Sequence, residues 1–271
     1  MEATLISDVG LATPESVVHD AETDLYLVSN INGGPLDTDG NGFISRLRPD
    51  GTVAELKWID GAGPDVELNA PKGMALTRDH LWVADIGVMR KFDRRSGKLL
   101  RSITVAGATF LNDVTAASGG EVYVTDTGLT AGFEASKTDA IHKISPDDTV
   151  ETVLATEVLA QPNGIVATSE GLQVVCWKAR KMLILDDSGE ARGVTDLGMA
   201  KLDGIIVTPQ GRCLVSSWEG SCILEVTADG AQELIGDLRD PADIGYDATR
   251  DRLLVPLFSD NAVKIISLSS R

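Results

Sequence analysis

Six polar residues recur in one three-residue setting. They are the middle residues of Pro14-Glu15-Ser16, Pro71-Lys72-Gly73, Leu111-Asn112-Asp113, Pro162-Asn163-Gly164, Leu202-Asp203-Gly204 and Ala242-Asp243-Ile244. Most are oxygen donors of the kind a hard cation takes. Glu15 and Asp203 offer carboxylates; Asn112 and Asn163 offer amide oxygens. Two negative charges balance a divalent ion, and such a set leaves room for water or substrate. Ca²⁺ accepts about 6–8 oxygens in loose geometry and fits best, whereas Mg²⁺, also a candidate, demands a stricter octahedron. The set holds no His or Cys, which argues against zinc. A second arrangement suits the same residues. Lys72 among Glu15, Asp203 and Asp243 would be an internal cation plugging the space, with the asparagines satisfying stray donors, because buried charges pair in this manner. Residue types alone leave both arrangements open.

The phrases follow one another at steps of roughly 40 to 57 residues, close to the period of about 40–45 of a propeller blade. Each opens an apolar run, read as a first strand. A second short strand follows at 25–28, 81–84, 122–125, 172–175, 213–216 and 253–256, mostly rich in β-branched or aromatic residues. Alternating third strands are expected at 43–47, 89–92, 141–144, 182–185, 223–226 and 263–266. Turn sequences such as Pro49-Asp50-Gly51, Asp187-Ser188-Gly189 and Ala228-Asp229-Gly230 lead into fourth strands, for example 52–56, 149–154 and 232–235. The sixth repeat lacks a fourth strand, and the segment 3–8 resembles 232–237. The first strand is therefore expected to complete the last blade and remove two open sheet edges. The predicted fold is all-β: a six-bladed β-propeller of four-stranded antiparallel blades, one domain over 1–271. The six middle residues then form a ring around one channel. The loops at 30–42, 85–88, 126–139, 176–180, 218–221 and 258–261 surround its mouth, and the two longest are the natural lids.

Composition narrows the partners. With 24 Lys and Arg against 41 Asp and Glu, the 271-residue chain carries a formal charge of −17. Nucleic acid and anionic membrane surfaces both require a basic face. No run of about 18 apolar residues is present, and the N-terminus lacks the basic start and apolar stretch of a signal peptide, so a cytoplasmic location is expected. Cys176, Cys213 and Cys222 form no even framework and no zinc spacing; they read as buried thiols.

The ring phrases and strand pattern resemble the regucalcin/gluconolactonase family, a branch of the calcium-dependent six-bladed hydrolases. That resemblance implies calcium ligands at Glu15, Asn112, Asn163 and Asp203, and a lactonase acting on a small lactone or ester. The ion would polarise the carbonyl and stabilise the developing oxyanion. A ring carboxylate, Asp203 or alternatively Asp243, would take a proton from the attacking water. Lys72 would supply a second oxyanion donor. Lys72 and the long first-blade loop depart from the family pattern, since a cation near the ring opposes a divalent ion. Two other readings share the fold: a non-catalytic NHL-like propeller that binds a ligand or protein partner, and a strictosidine synthase-like condensation enzyme.

Other residues are read more plainly. His19 and His142 lie within strands and His80 in a hairpin, so none is a clear base. Asp37, Asp39, Asn41 and Gly42 match the opening of an EF-hand-type loop, but Arg48 stands where its bidentate Glu belongs, so an Asp/Gly turn is expected. Trp177, Trp218 and Phe258 are read as packing between blades, with a pocket wall as the alternative.

Overall fold

A computed structural model describes residues 2–228 and 230–269. They form six four-stranded antiparallel sheets. The innermost strands are Pro14–Asp20, Pro71–Leu76, Leu111–Ala116, Pro162–Thr168, Leu202–Val207 and Gly245–Asp247, and neighbours abut around one axis. The N-terminal strand Ala3–Ile6 pairs with Ala262–Ser267 and supplies the outer edge of blade six, as expected. In the turn Ala228-Asp229-Gly230, Asp229 lies outside the described residues. Among the described residues no helix is long and apolar enough to cross a membrane.

The core is a ring of interfaces between blades. Second strands explain why. In Leu25–Asn30, Leu27 packs toward blade two and Val28 toward blade six. In His80–Asp85, Leu81 and Val83 face blade one, while Trp82 and Ala84 face blade three. A strand covered on both faces must be apolar at successive positions, which is the pattern its sequence carries. Outer strands such as Leu99–Thr104 and Ala191–Asp196 are largely exposed, and their sequences are polar.

Five innermost strands share a bulge. Pro14 pairs with Asn30 and Val17 with Val28, so one extra residue is inserted between them. The same step occurs at Pro71/Met74, Leu111/Val114, Pro162/Ile165 and Leu202/Ile205. The inserted stretch is the middle and third residue of each phrase. A bulge leaves backbone groups without ladder partners and re-aims side chains. Hydroxyls opposite the bulge make good the loss in alternate blades. Ser29 Oγ accepts from Ser16 N (2.9 Å), Thr125 Oγ1 from Asp113 N (3.1 Å) and Ser216 Oγ from Gly204 N (2.8 Å). Thr125 Oγ1 also donates to Asn163 O (2.7 Å) and Ser216 Oγ to Ala242 O (2.8 Å), tying each blade to the next. Where the third residue is Gly73 or Gly204, a Cβ would stand 2.5 Å from Asp113 Cα or 2.7 Å from Asp243 Cα, so close approach of neighbouring blades demands glycine.

Blade six departs from expectation. Ala242-Asp243-Ile244 does not open a strand; the innermost strand begins only at Gly245. Asp243 N donates to Glu15 O (2.9 Å), and Ser16 and Asp243 form a parallel bridge. Ala242 N still donates to Pro256 O (3.0 Å) in its own blade, and Asp243 is drawn from that ladder onto blade one. His80 opens a strand instead of lying in the hairpin turn. The three thiols are buried and unbridged; burial pushes Cys176 and Cys213 up to about 12. In the loop after Asn30, Asp37 accepts from Gly34 N (2.8 Å) and Asp39 from Asn41 N (3.3 Å), consistent with a self-bonded turn.

Two outcomes follow for stability. Thr125→Val keeps the shape of the side chain but orphans two buried backbone groups; urea unfolding should show a loss of about 1–3 kcal/mol. Burial alone would raise the Asp247 carboxyl, but bonds from Tyr26 and Arg250 hold it below the usual range. A depressed carboxyl stabilises above its unfolded value near ~4 and loses that contribution as pH falls. Arg250→Ala should therefore melt lower than the parent at pH 7, with the gap closing toward pH 3 in calorimetry.

Candidate functional site

Five of the ring side chains are each delivered by a bulge, and the chain enters several bulges through a strained residue. Thr13 (φ 47°), Gln161 (φ 61°) and Lys201 (φ 49°) precede their phrases in the left-handed region. Such residues cost on the order of 1–3 kcal/mol and persist only where surroundings hold them. Here backbone bonds hold them. Trp177 N donates to Gln161 O (2.8 Å), Lys201 N to Trp177 O (2.8 Å) and Trp218 N to Lys201 O (3.0 Å). Buried carboxylates anchor the approach elsewhere: Asp85 accepts from Ala70 N (2.9 Å) and Asp126 from Phe110 N (2.9 Å). Arg90 Nε in turn donates to Asp85 (2.9 Å).

Glu15, Lys72, Asn112, Asn163 and Asp203 line one cavity of about 290 Å³. Asp243 does not. It is buried beneath, where it accepts from Ser16 Oγ (2.5 Å) and faces Asp113, itself held by Ile165 N (2.7 Å). Five of the six ring residues thus share the pocket, and the sixth belongs to the blade junction.

The polar atoms of this floor are mostly without partners. Glu15 Oε2, Asn163 Oδ1 and Asp203 Oδ1 are buried and accept no hydrogen bond. Asn112 is oriented unambiguously. Thr127 Oγ1 spends its proton on Pro162 O (2.7 Å), so it must accept from Asn112 Nδ2 (3.0 Å), which leaves Asn112 Oδ1 as the open acceptor. Burial, with the charges of neighbouring carboxylates, pushes Glu15 and Asp203 well above the carboxylate range. Asp243 is pushed up to about 7, again chiefly by burial. Trp218 and Asn163 stand close to Asp203 and favour its charged form.

Lys72 is 1 % exposed and does not act as the plug considered above. Its Nζ donates to Ala70 O (3.2 Å) and lies 4.4 Å from the Phe110 ring centroid, closing no ion pair with Glu15, Asp203 or Asp243. Desolvation brings it down to about 8, against the pull of Glu15 and Asp85. The oxygens that a plug would have satisfied remain open. They suit a divalent cation in donor type and charge, through a mixed set of two carboxylates and two amides. Among the described residues no three His, Cys, Asp or Glu side chains gather as a metal cluster, so the amides are indispensable to any such site.

Trp177, Trp218 and Phe258 wall the pocket and also pack between blades, so both roles considered for them are present. They also touch one another, with centroids 5.3 Å and 5.2 Å apart. Sequence reasoning missed Phe110 and Lys201, each the residue before a ring phrase, and also Thr127, Leu129 and Phe133 of the second long loop. His142 is buried against Thr152 (3.1 Å), and His19 sits between Asp24 and Asp247; both are outside the cavity.

No family model and no curated protein matches the chain. Its fold does match solved structures. A gluconolactonase of Xanthomonas campestris is 17% identical over 98% of this chain and 90% of its own, with a TM-score of 0.70. A luciferin-regenerating enzyme is 12% identical, covering 99% and 96%, with a TM-score of 0.71. A catalytically inactive virginiamycin B lyase from Staphylococcus aureus, solved with quinupristin, is 16% identical, covering 99% and 100%, with a TM-score of 0.65. At these identities the likeness is one of fold, and it is the fold that the gluconolactonase resemblance implies.

The open carboxylates generate a prediction. In chelator-stripped protein at pH 8, Glu15 and Asp203 carry a desolvation cost. Glu15→Gln and Asp203→Asn should each melt at or above the parent in calorimetry. Marked destabilisation by both would mean that the carboxylates already have strong partners.

Proposed function

We propose that the channel is a calcium site serving hydrolysis of a small lactone or ester. The observation that carries this reading is the orphaning of Glu15 Oε2, Asn163 Oδ1 and Asp203 Oδ1 on one cavity floor, with no internal cation closing on them. Glu15, Asn112, Asn163 and Asp203 would hold the ion. When bound, Ca²⁺ would polarise a carbonyl and stabilise negative charge on its oxygen.

The chain's own groups supply the rest. Asp203 Oδ1 is an open buried acceptor on the floor; burial makes the carboxylate more basic in the metal-free chain, and a bound cation would draw that basicity back down. Asp203 would take the proton as a water oxygen bonds to the acyl carbon. The acyl–oxygen bond then breaks, and the proton passes to the departing alkoxide. Asp243, off the cavity wall and bonded to Ser16, is poorly placed for that role. Lys72 Nζ has donors to spare and would bind the carbonyl oxygen or an anionic product. The half-buried aromatic wall would exclude bulk water, strengthening these interactions.

Calcium titration of chelator-stripped protein by calorimetry, with Asn112→Ala/Asn163→Ala alongside, tests the site. Binding should be present in the parent and lost in the double variant. Asp203→Asn should lower lactone or ester hydrolysis by about 10²–10⁴-fold. The opposing force is Lys72, an unpaired cation on the same floor. If calcium does not bind and a lactone and ester panel is untouched, the pocket is a non-catalytic ligand site.

A further inference from the structure

We propose that the substrate of this pocket carries a flat aromatic or bulky apolar body, and that polyhydroxylated sugar lactones are poor ligands. This deepens the hydrolase reading and rests on it for the chemistry, while the recognition itself rests on the walls.

Three aromatic rings from consecutive blades form one side. Trp177 meets Trp218 edge to face (74°), and Trp218 meets Phe258 at 52°. Such a wall offers both ring faces and ring edges to an aryl group. Leu129 and Phe133 stand on the loop of blade three, which also lines the cavity. Phe133 is 62% exposed and is the one aromatic among the exposed large hydrophobics of the described residues. An aromatic ring left in water at a pocket mouth has no folding role here, and it gains cover when an apolar ligand enters.

Hydrogen-bonding capacity is concentrated at the floor, and the walls add few polar groups to it. Thr127 Oγ1, the hydroxyl on the wall, already donates to Pro162 and accepts from Asn112. Trp218 Nε1, on the wall, is a buried donor without a hydrogen-bond partner among the described residues. Lys201 is exposed at the rim. A carbonyl end therefore finds partners below, and most of a ring of hydroxyls would face apolar groups, with Trp218 Nε1 and Lys201 the donors left to them. Unpaired hydroxyls in an apolar site are rejected strongly. The cavity of about 290 Å³ admits a one- or two-ring compound.

The test separates recognition from catalysis. Binding of dihydrocoumarin, its non-hydrolysable analogue chroman, and glucono-δ-lactone is measured through tryptophan fluorescence and calorimetry on calcium-supplemented protein. Hydrolysis of the two lactones is followed in parallel. The expected result is at least tenfold tighter binding of chroman and dihydrocoumarin than of gluconolactone, weakened at least fivefold in Trp177→Leu and in Phe258→Leu. Two conservative variants guard against one misfolding. Chroman binding with neither lactone hydrolysed supports the inference while sinking the hydrolase reading. Gluconolactone bound or hydrolysed as well as dihydrocoumarin overturns the inference and leaves the hydrolase reading standing. Absence of any chroman binding also overturns it.

Discussion

Satisfying a buried backbone that has left its ladder is the constraint on which this molecule turns. A bulge in each of five innermost strands swings a polar side chain into the channel, and strands that stayed in register would have kept those residues in the blade faces. The backbone groups so freed lie too deep for solvent. Ser29, Thr125 and Ser216 meet part of that need, and Asp113 meets another part by reaching to Ile165 N. Because Thr125 and Ser216 also donate into the next blade, and Asp113 reaches across to it, the device that builds the site also fastens the ring. Glycine at the third phrase position belongs to the same logic, since the blades meet there backbone to backbone.

Electrostatics in the channel are deliberately uncomfortable. Glu15, Asp113, Asp203 and Asp243 are buried together, and desolvation lifts all four above the ordinary carboxylate range. The nearest internal cation turns to a carbonyl and an aromatic face. Elsewhere buried charge is handled differently: Asp85 has Arg90, Asp20 has Arg94 and Asp247 has Arg250. These three scaffold acids are paired with arginines, whereas the acids at the centre close no ion pair among the described residues. Departures from local consistency of this kind are expected at functional or strained sites.

Most of the architecture was legible from periodicity and the doubly apolar second strands, because each blade repeats the same local burial. The N-terminal strand could be assigned to blade six because its sequence echoes the fourth strand of blade five. Asp243 was misjudged as a pocket residue because its position depends on contact with blade one, more than two hundred residues away in sequence, and no local pattern reports that. The bridging hydroxyls were hidden in apolar strands, where a buried Ser or Thr signals a bond that only the partner's location reveals. Aromatic residues at loop starts suit packing and pocket walls equally, and only geometry shows that Trp177, Trp218 and Phe258 do both. The direction taken by Lys72 was likewise a three-dimensional matter.

The mouth of the channel is built unevenly. Short loops of blades four, five and six carry the aromatic wall, and backbone bonds through Gln161, Trp177, Lys201 and Trp218 lock those of blades four and five to one another. Facing them, the longer segments after Asn30 and Asp126 bring Pro35, Leu129 and Phe133 to the same cavity. One jaw is therefore cast with the scaffold and the other is grafted onto it. Pro35, Leu129 and Phe133 belong to none of the apolar clusters that the described residues form between blades, so ligand range can drift through replacements there while the fixed jaw and the channel floor stay constant.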